Sequence, residues 1–239
     1  MPYSTEIPMW WETDGTQVWL VAGSGRGLIV DLRDRERRAS TAAEPGAVLG
    51  ANALSDDRVR ITQLEAHGYS RTFSMVRLER DTAPIAARRP TGVDVREVEP
   101  ADATAMHELT QTVWGDRSYF MMPSIESYRA WVRESDPALF LLAGTSDGLA
   151  GYVATFEQQG ELVIDDIQVG PARRRQGIGT FLLARILTEA RRRRIGRVHL
   201  ETEGDDPVGA RAFYEQLGFS SAGDDLRFRK SVALATRDS

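Results

Sequence analysis

Apolar positions along the chain keep two rhythms, one of period two and one near 3.6, and they keep them most regularly in the second half. Residues 93–98, 139–143, 149–156, 162–169 and 197–203 have the length and branched or aromatic content of strands, and 220–232 reads as two short ones. Helical spacing runs from Pro100 to about 113, over 125–134, from Thr180 to about 194, and over 207–217. The order is therefore β-α-α-β-β-β-α-β-α-β-β. The first half is less regular. Residues 17–22 and 28–32 read as a hairpin turning on the glycines between 23 and 27, and 33–53 reads as a short helix and a loop. Residues 58–67 suit a helix stopped by Gly68, and 69–79 a strand. Residues 81–90, with Pro84 and Pro90 and few large apolar side chains, suit a linker.

Composition changes this picture mainly by exclusion. A chain of 239 residues, 41% hydrophobic and 27% charged, is expected to fold as one large or two small soluble domains. The absence of cysteine excludes disulfides, zinc–cysteine sites and thiol catalysis. His67, His107 and His199 lack metal-ligand spacing, so no metal is expected. There is no basic-then-apolar leader and no apolar run of membrane-spanning length, so the expectation is a cytoplasmic protein without a membrane partner. The formal charge of −5 lies wholly beyond residue 90, because residues 1–90 carry 12 basic and 12 acidic groups. That balance argues against a nucleic-acid partner, and the arginines at 191–194 read as cations at a helix C-terminus.

The chemistry concentrates where strand 162–169 stops at Gly170-Pro171 and Arg174-Arg175-Gln176-Gly177-Ile178-Gly179 leads into a helix at Thr180. The first N–H groups of a helix have no partner inside it, and its dipole places positive charge there. Glycines at 177 and 179 admit a phosphate close to the backbone. The Rossmann and Walker patterns are absent; Lys230 is the only lysine. The motif present is R-x-x-G-x-G, followed at 210–219 by A-x-x-F-Y-x-x-x-G-F. Joined to the strand before them, these motifs resemble the GNAT superfamily of acyl-CoA-dependent N-acyltransferases, over roughly residues 92–233. The resemblance implies an α/β GNAT fold, a mixed central sheet with helices on both faces.

The resemblance also implies roles. Acetyl-CoA would be the acyl donor and an amine on a small molecule or peptide the acceptor, with direct transfer in a ternary complex. Pantetheine and thioester would lie along Ile167, Gln168 and Val169, and the pyrophosphate on Arg174, Arg175, Gln176, Gly177, Ile178, Gly179 and Thr180, with Phe213 nearby. Tyr214 occupies the position of the family's acid for the departing thiolate. An amine arrives largely as ammonium, so a base, direct or through water, must take its proton. Asp165 and Asp166 are the candidates. Adjacent strand residues face opposite ways, and the family's base sits on the face of 163, 165 and 167, which favours Asp165. Glu161 and Glu203 are more distant candidates. Trp114, Tyr119 and Phe120 fall in the family's acceptor loop. One departure is Pro207, where the family often has Asn. A catalytically inactive acyl-CoA-binding module is the alternative reading, and a homodimer is an expected assembly.

The first half repeats features of the second. Gly23 and Gly27 parallel Gly144 and Gly148 at an offset of 121, and Gly68-Tyr69-Ser70 parallels Gly218-Phe219-Ser220 at 150. The difference is about the length of the phosphate turn and its helix, and no R-x-x-G-x-G occurs in the first half. The expected organisation is a truncated α+β GNAT-like domain without a CoA site (1–85), a linker (86–91), a catalytic domain (92–233) and a tail (234–239). Tandem arrangements of this kind resemble those of mycothiol-synthase-like proteins.

Overall fold

Strands and helices alternate through the second half as the apolar rhythm requires. The computed structural model describes residues 7–13, 16–22, 33, 36–37, 48–115, 122–205 and 208–231. Its elements are β1 (Ile7–Thr13), β2 (Thr16–Ala22), β3 (Val48–Leu54), α1 (Arg58–Ala66), β4 (Ser70–Asp81), β5 (Asp94–Glu97), α2 (Ala103–Trp114) and α3 (Ile125–Glu134). They continue with β6 (Phe140–Thr145), β7 (Gly148–Gln158), β8 (Glu161–Val169), α4 (Ile178–Arg192), β9 (Arg197–Glu203), α5 (Ala210–Gln216) and β10 (Ser220–Ser231). The chain forms two compact units. One holds Met1–Arg77, Thr202–Arg211 and Ser221–Ser239; the other holds Leu78–Glu201 and Ala212–Ser220.

In the second unit the strands run in the order β4 (its end), β9, β8, β7, β6, β5. β5 to β8 pair antiparallel in succession, whereas β8 and β9 are parallel. A parallel pair needs a crossover, and α4 supplies it. Helices α2 and α3 bury Ala103, Met106, Leu109, Tyr128 and Val132 against Phe140, Leu142, Tyr152 and Ala154. The intervening strand residues, such as Leu141 and Val153, turn to the opposite face. There α4 packs against β6, β7 and β8, burying the stripe Leu182, Leu183, Ile186, Leu187 and Ala190. No helix among the described residues is long and apolar enough to cross a membrane.

In the first unit the order is β2, β1, β3, β10, β4 (its start). The core there is Leu49, Ala51, Ala53, Leu64, Tyr69 and Phe228. Three features differ from the sequence reading. β3 occupies part of the stretch read as loop, because its Ala51 and Ala53 lack strand propensity and serve instead to let α1 approach. β2 pairs antiparallel with β1, while the expected partner at 28–32 and the glycines from 23 to 27 lie outside the described residues. β10 is one strand, continuous through Gly223, and it pairs with β3. Residues from both ends of the chain therefore share one compact unit.

The segment β3–α1–β4 has the local form of β9–α5–β10, 150 residues later. Gly68 and Gly218 both end their helices with positive φ, +80° and +86°. Tyr69 N–H donates to Leu64 O at 3.0 Å, and Phe219 N–H donates to Tyr214 O at 3.1 Å. Leu64 thus holds the place in the first copy that Tyr214 holds in the second.

Candidate active site

Parallel pairing joins β9 to β8 only at Leu162–Val198, Val163–His199 and Ile164–Leu200. From residue 165 to Val169 β8 therefore has no ladder to that strand, and its backbone there can receive another extended chain, except at Val169 O, which a side chain occupies. On the opposite edge the ladder to β7 slips. Ala154 pairs with Asp166 and Thr155 with Ile164, so Asp165 is the extra residue of a β-bulge. The bulge reverses parity. Ile164 faces the α4 side, while Asp166 and Gln168 share the α2–α3 side with Ala154 and Tyr152. The uninterrupted alternation that groups 163, 165 and 167 on one face does not pass through this point.

The two aspartates consequently meet different surroundings. Asp165 is solvent-accessible and opens on a shallow depression of about 500 Å³, lined in part by Trp131, Asp136, Leu139, Phe156 and Arg193. Atoms packed beneath its carboxyl remove enough hydration to raise its pKa. Asp166 lies deeper. Its Oδ2 accepts from the Tyr152 hydroxyl at 2.5 Å and from Gln168 Nε2 at 2.7 Å. Thr110 Oγ1 lies 3.1 Å from the Tyr152 hydroxyl, and the Tyr128 hydroxyl adjoins both. Burial pushes Asp166 up to about 6, against the hydrogen bonds from Tyr152 and Gln168 that favour its ionised form. Gln168 is itself buried, and its Oε1 has no hydrogen-bond partner among the described residues.

Helix α5 brings Tyr214 to this carboxyl. Its ring is buried between Phe213 and Phe219, at centroid distances of 5.1 and 5.5 Å. Burial, and then the charge of Asp166, raise the phenol's pKa, so the hydroxyl keeps its proton at neutral pH.

The turn after β8 builds a third feature. Gly170 N–H donates to Ala150 O at 2.9 Å, and the chain then passes through two left-handed residues, Arg175 (φ 60°) and Gly177 (φ 81°). This curls successive N–H groups toward one side, and no side chain caps the helix they open. A Cβ at Gly177 would meet nothing within 4 Å, so that side is open. A Cβ at Gly179 would stand 3.2 Å from Phe213 Cζ, so this glycine lets α5 approach α4. Arg174 Nε donates to Val169 O at 3.2 Å, and Arg173 pairs with Asp147. The side chains of Arg175 and Gln176 are exposed, Ile178 is buried, and Ile167, Val169, Thr180 and Phe213 are partly buried.

The remaining sequence candidates are dispersed. Trp114 ends α2; Tyr119, Phe120 and Pro207 lie outside the described residues. Glu161, at the start of β8, faces Arg197 at 3.5 Å and His199 at 3.3 Å, and Glu203 belongs to the other compact unit. Sequence reasoning did not single out Thr110, Tyr128 or Tyr152. The available signal was a hydroxyl at each of three otherwise apolar core positions, which requires a polar partner.

Comparison with known proteins follows this geometry. Residues 103–219 match the model of the acetyltransferase (GNAT) family. A mycothiol acetyltransferase from Kineococcus radiotolerans is 33% identical over 216 residues, which are 86% of this chain and 67% of that protein. This chain thus spans about two thirds of that relative's length. A GCN5-related N-acetyltransferase from Sphaerobacter thermophilus superposes with a TM-score of 0.73 at 22% identity, over 87% of this chain and 69% of that one. A tandem GNAT protein from the clavulanic acid biosynthesis pathway superposes with a TM-score of 0.66 at 14% identity, over 95% of this chain and 84% of that one. These two structural likenesses bear on the fold.

Proposed function

This chain belongs to the GNAT acetyltransferase family, and we propose that it transfers the acetyl group of acetyl-CoA to an amine by direct attack within a ternary complex. The observation that carries the reading is a juxtaposition. An unpaired length of β8 leads into an uncapped helix N-terminus, and that same length carries Asp166, whose charge reaches Tyr214. N–H groups from Arg175 to Thr180 would hold the pyrophosphate, and the β8 backbone at Ile167, Gln168 and Val169 would hold the pantetheine and thioester. Acetyl-CoA supplies the activated acyl group. Everything else falls to this chain: an N–H aimed at the carbonyl oxygen, a base for the ammonium, and a proton for the departing sulfur. Preorganised donors of this kind are worth about 10²–10³ in rate, and a positioned acid or base about 10²–10⁴.

Asp166 is the base we favour. It is held by two donors, lies within the electrostatic reach of Tyr214, and titrates near the pH at which it must work. Asp165, on the bulge, is placed to attract the incoming ammonium. Tyr214 gives its proton to the thiolate. The likeness to a mycothiol acetyltransferase supports a small-molecule acceptor, and the proposal includes a cytoplasmic setting.

Calorimetric titration of acetyl-CoA and CoA into the protein tests the donor site. Wild type should bind both, and Gly177→Trp, which fills the open side of the turn, should bind neither. Absence of binding to wild type would sink the proposal. Tyr214→Phe should then keep binding and lose turnover; unchanged turnover would remove the acid role from Tyr214, and wild type that binds the donor without turning it over would be an acyl-CoA-binding module.

A further inference from the structure

Resting on the reading above, we infer that Arg80, near the end of β4, is the positioning residue for the acid Tyr214. Helix α5 is only seven residues long, too short to hold its own geometry. Its C-terminal turn instead depends on what lies around Leu217, Gly218 and Phe219. Arg80 lies there, its side chain 9% exposed. Nη1 donates to the carbonyl of Leu217, Nη2 donates to Ala83 O at 2.9 Å, and Nε donates to Asp81 O at 2.8 Å. The guanidinium also lies over the Phe219 ring, 5.8 Å from its centroid.

Both grips lead to Tyr214. Leu217 N–H and Phe219 N–H each donate to the Tyr214 carbonyl, at 2.9 and 3.1 Å, and the Phe219 ring meets the Tyr214 ring edge-on. A cation tied at three points to the backbone thus fixes both the carbonyl and the ring of the catalytic residue. Gly218, between the two residues that Arg80 grips, has a left-handed φ of +86°, which a glycine adopts without strain.

The repeat supplies a second instance. Lys230, the residue 150 positions after Arg80, lies over Tyr69, the counterpart of Phe219, at 5.3 Å. In that copy a flexible ammonium suffices, because Leu64 stands where Tyr214 stands and there is no acid to position. In the copy that carries the tyrosine, the cation is the rigid, forked guanidinium. Arg80 lies before the linker, so the first half of the chain contributes to catalysis although it holds no phosphate turn.

A double-mutant cycle tests this. Arg80→Ala should lower kcat by about tenfold with the KM for acetyl-CoA within about twofold, since misplacing a catalytic group costs rate rather than donor binding. Arg80→Lys should restore part of the loss. In a Tyr214→Phe background, Arg80→Ala should cost little more. Equal losses in both backgrounds, or no loss in the first, would overturn the inference. A readout without turnover completes it. With 3-fluorotyrosine incorporated, the resonance missing from Tyr214→Phe should shift or broaden in Arg80→Ala and stay in place in Lys230→Ala. An unmoved resonance in Arg80→Ala would refute positioning even if wild type proved inactive, which would itself refute only the proposed reaction.

Discussion

Asp166 is a carboxylate placed where a carboxylate is expensive, and that cost can be read from outside. Its pKa is raised by burial from an unfolded value of 3.8 to about 6, so the folded state binds the proton more tightly than the unfolded chain does. Stability from this group is therefore fully present below pH about 4 and is lost as pH rises through about 6. At 1.36 kcal/mol per pH unit, keeping Asp166 ionised at pH 8 costs roughly 3 kcal/mol. Asparagine has the same shape and no charge to desolvate. Asp166→Asn should therefore melt several degrees above wild type at pH 8 and close to it at pH 5. Acetyl transfer should fall by about 10²-fold or more in the same variant, and the wild-type kcat should rise with pH through about 6. A variant that is less stable at pH 8, or a flat rate profile between pH 5 and 7, would take the base role away from Asp166.

The bulge in β8 carries the argument from residue to element. Deleting Asp165 leaves every other ladder partner between β7 and β8 in place while removing the extra residue that bends the strand. Pairing with β9 could then extend past Ile164 and close the edge proposed to receive the donor. The deletion should keep the fold, seen as an unchanged or higher melting temperature, and weaken acetyl-CoA binding by more than tenfold. Asp165→Ala keeps the bulge and should bind the donor normally. If both bind equally well, the open edge is not what holds the donor. This element also marks the limit of what the sequence disclosed. Strand 162–169, the turn and α4 were legible because Ile and Val, Gly-Pro and a 3.6 spacing each state a conformation. A bulge between two aspartates states none, since either residue accepts it, so parity counted along the sequence gave the wrong face for residue 166. β3 was illegible for the opposite reason, its small residues answering to packing against α1. Arg80 drew no reading from the sequence, because only the fold brings Leu217 and Phe219 to it.

At the scale of the whole molecule, the repeat and the compact units pose a question that cutting the chain answers. β10 comes from the C-terminal end yet lies between β3 and β4, and its Phe228 is fully buried in the core with Leu49 and Leu64. β9 has β4 as its neighbour on the side away from β8. A fragment starting at residue 86 would keep the phosphate turn, Asp166 and Tyr214, but it would strip β10 of both neighbouring strands and β9 of one. It would also lose Arg80. Unpaired strands with buried aromatic residues are templates for aggregation. The fragment should be insoluble, or soluble without the cooperative melting of the full chain, and it should not bind acetyl-CoA. Co-expression with residues 1–85 should restore solubility and binding, because the missing strands are supplied again without a covalent join. This outcome is expected even though the first half has no R-x-x-G-x-G and carries Leu64 where the second has Tyr214. Its contribution is strands and one arginine, not a second site. A soluble fragment with full affinity and turnover would show instead that the catalytic half is self-sufficient, and it would remove the reason proposed here for keeping a copy that lost its own chemistry.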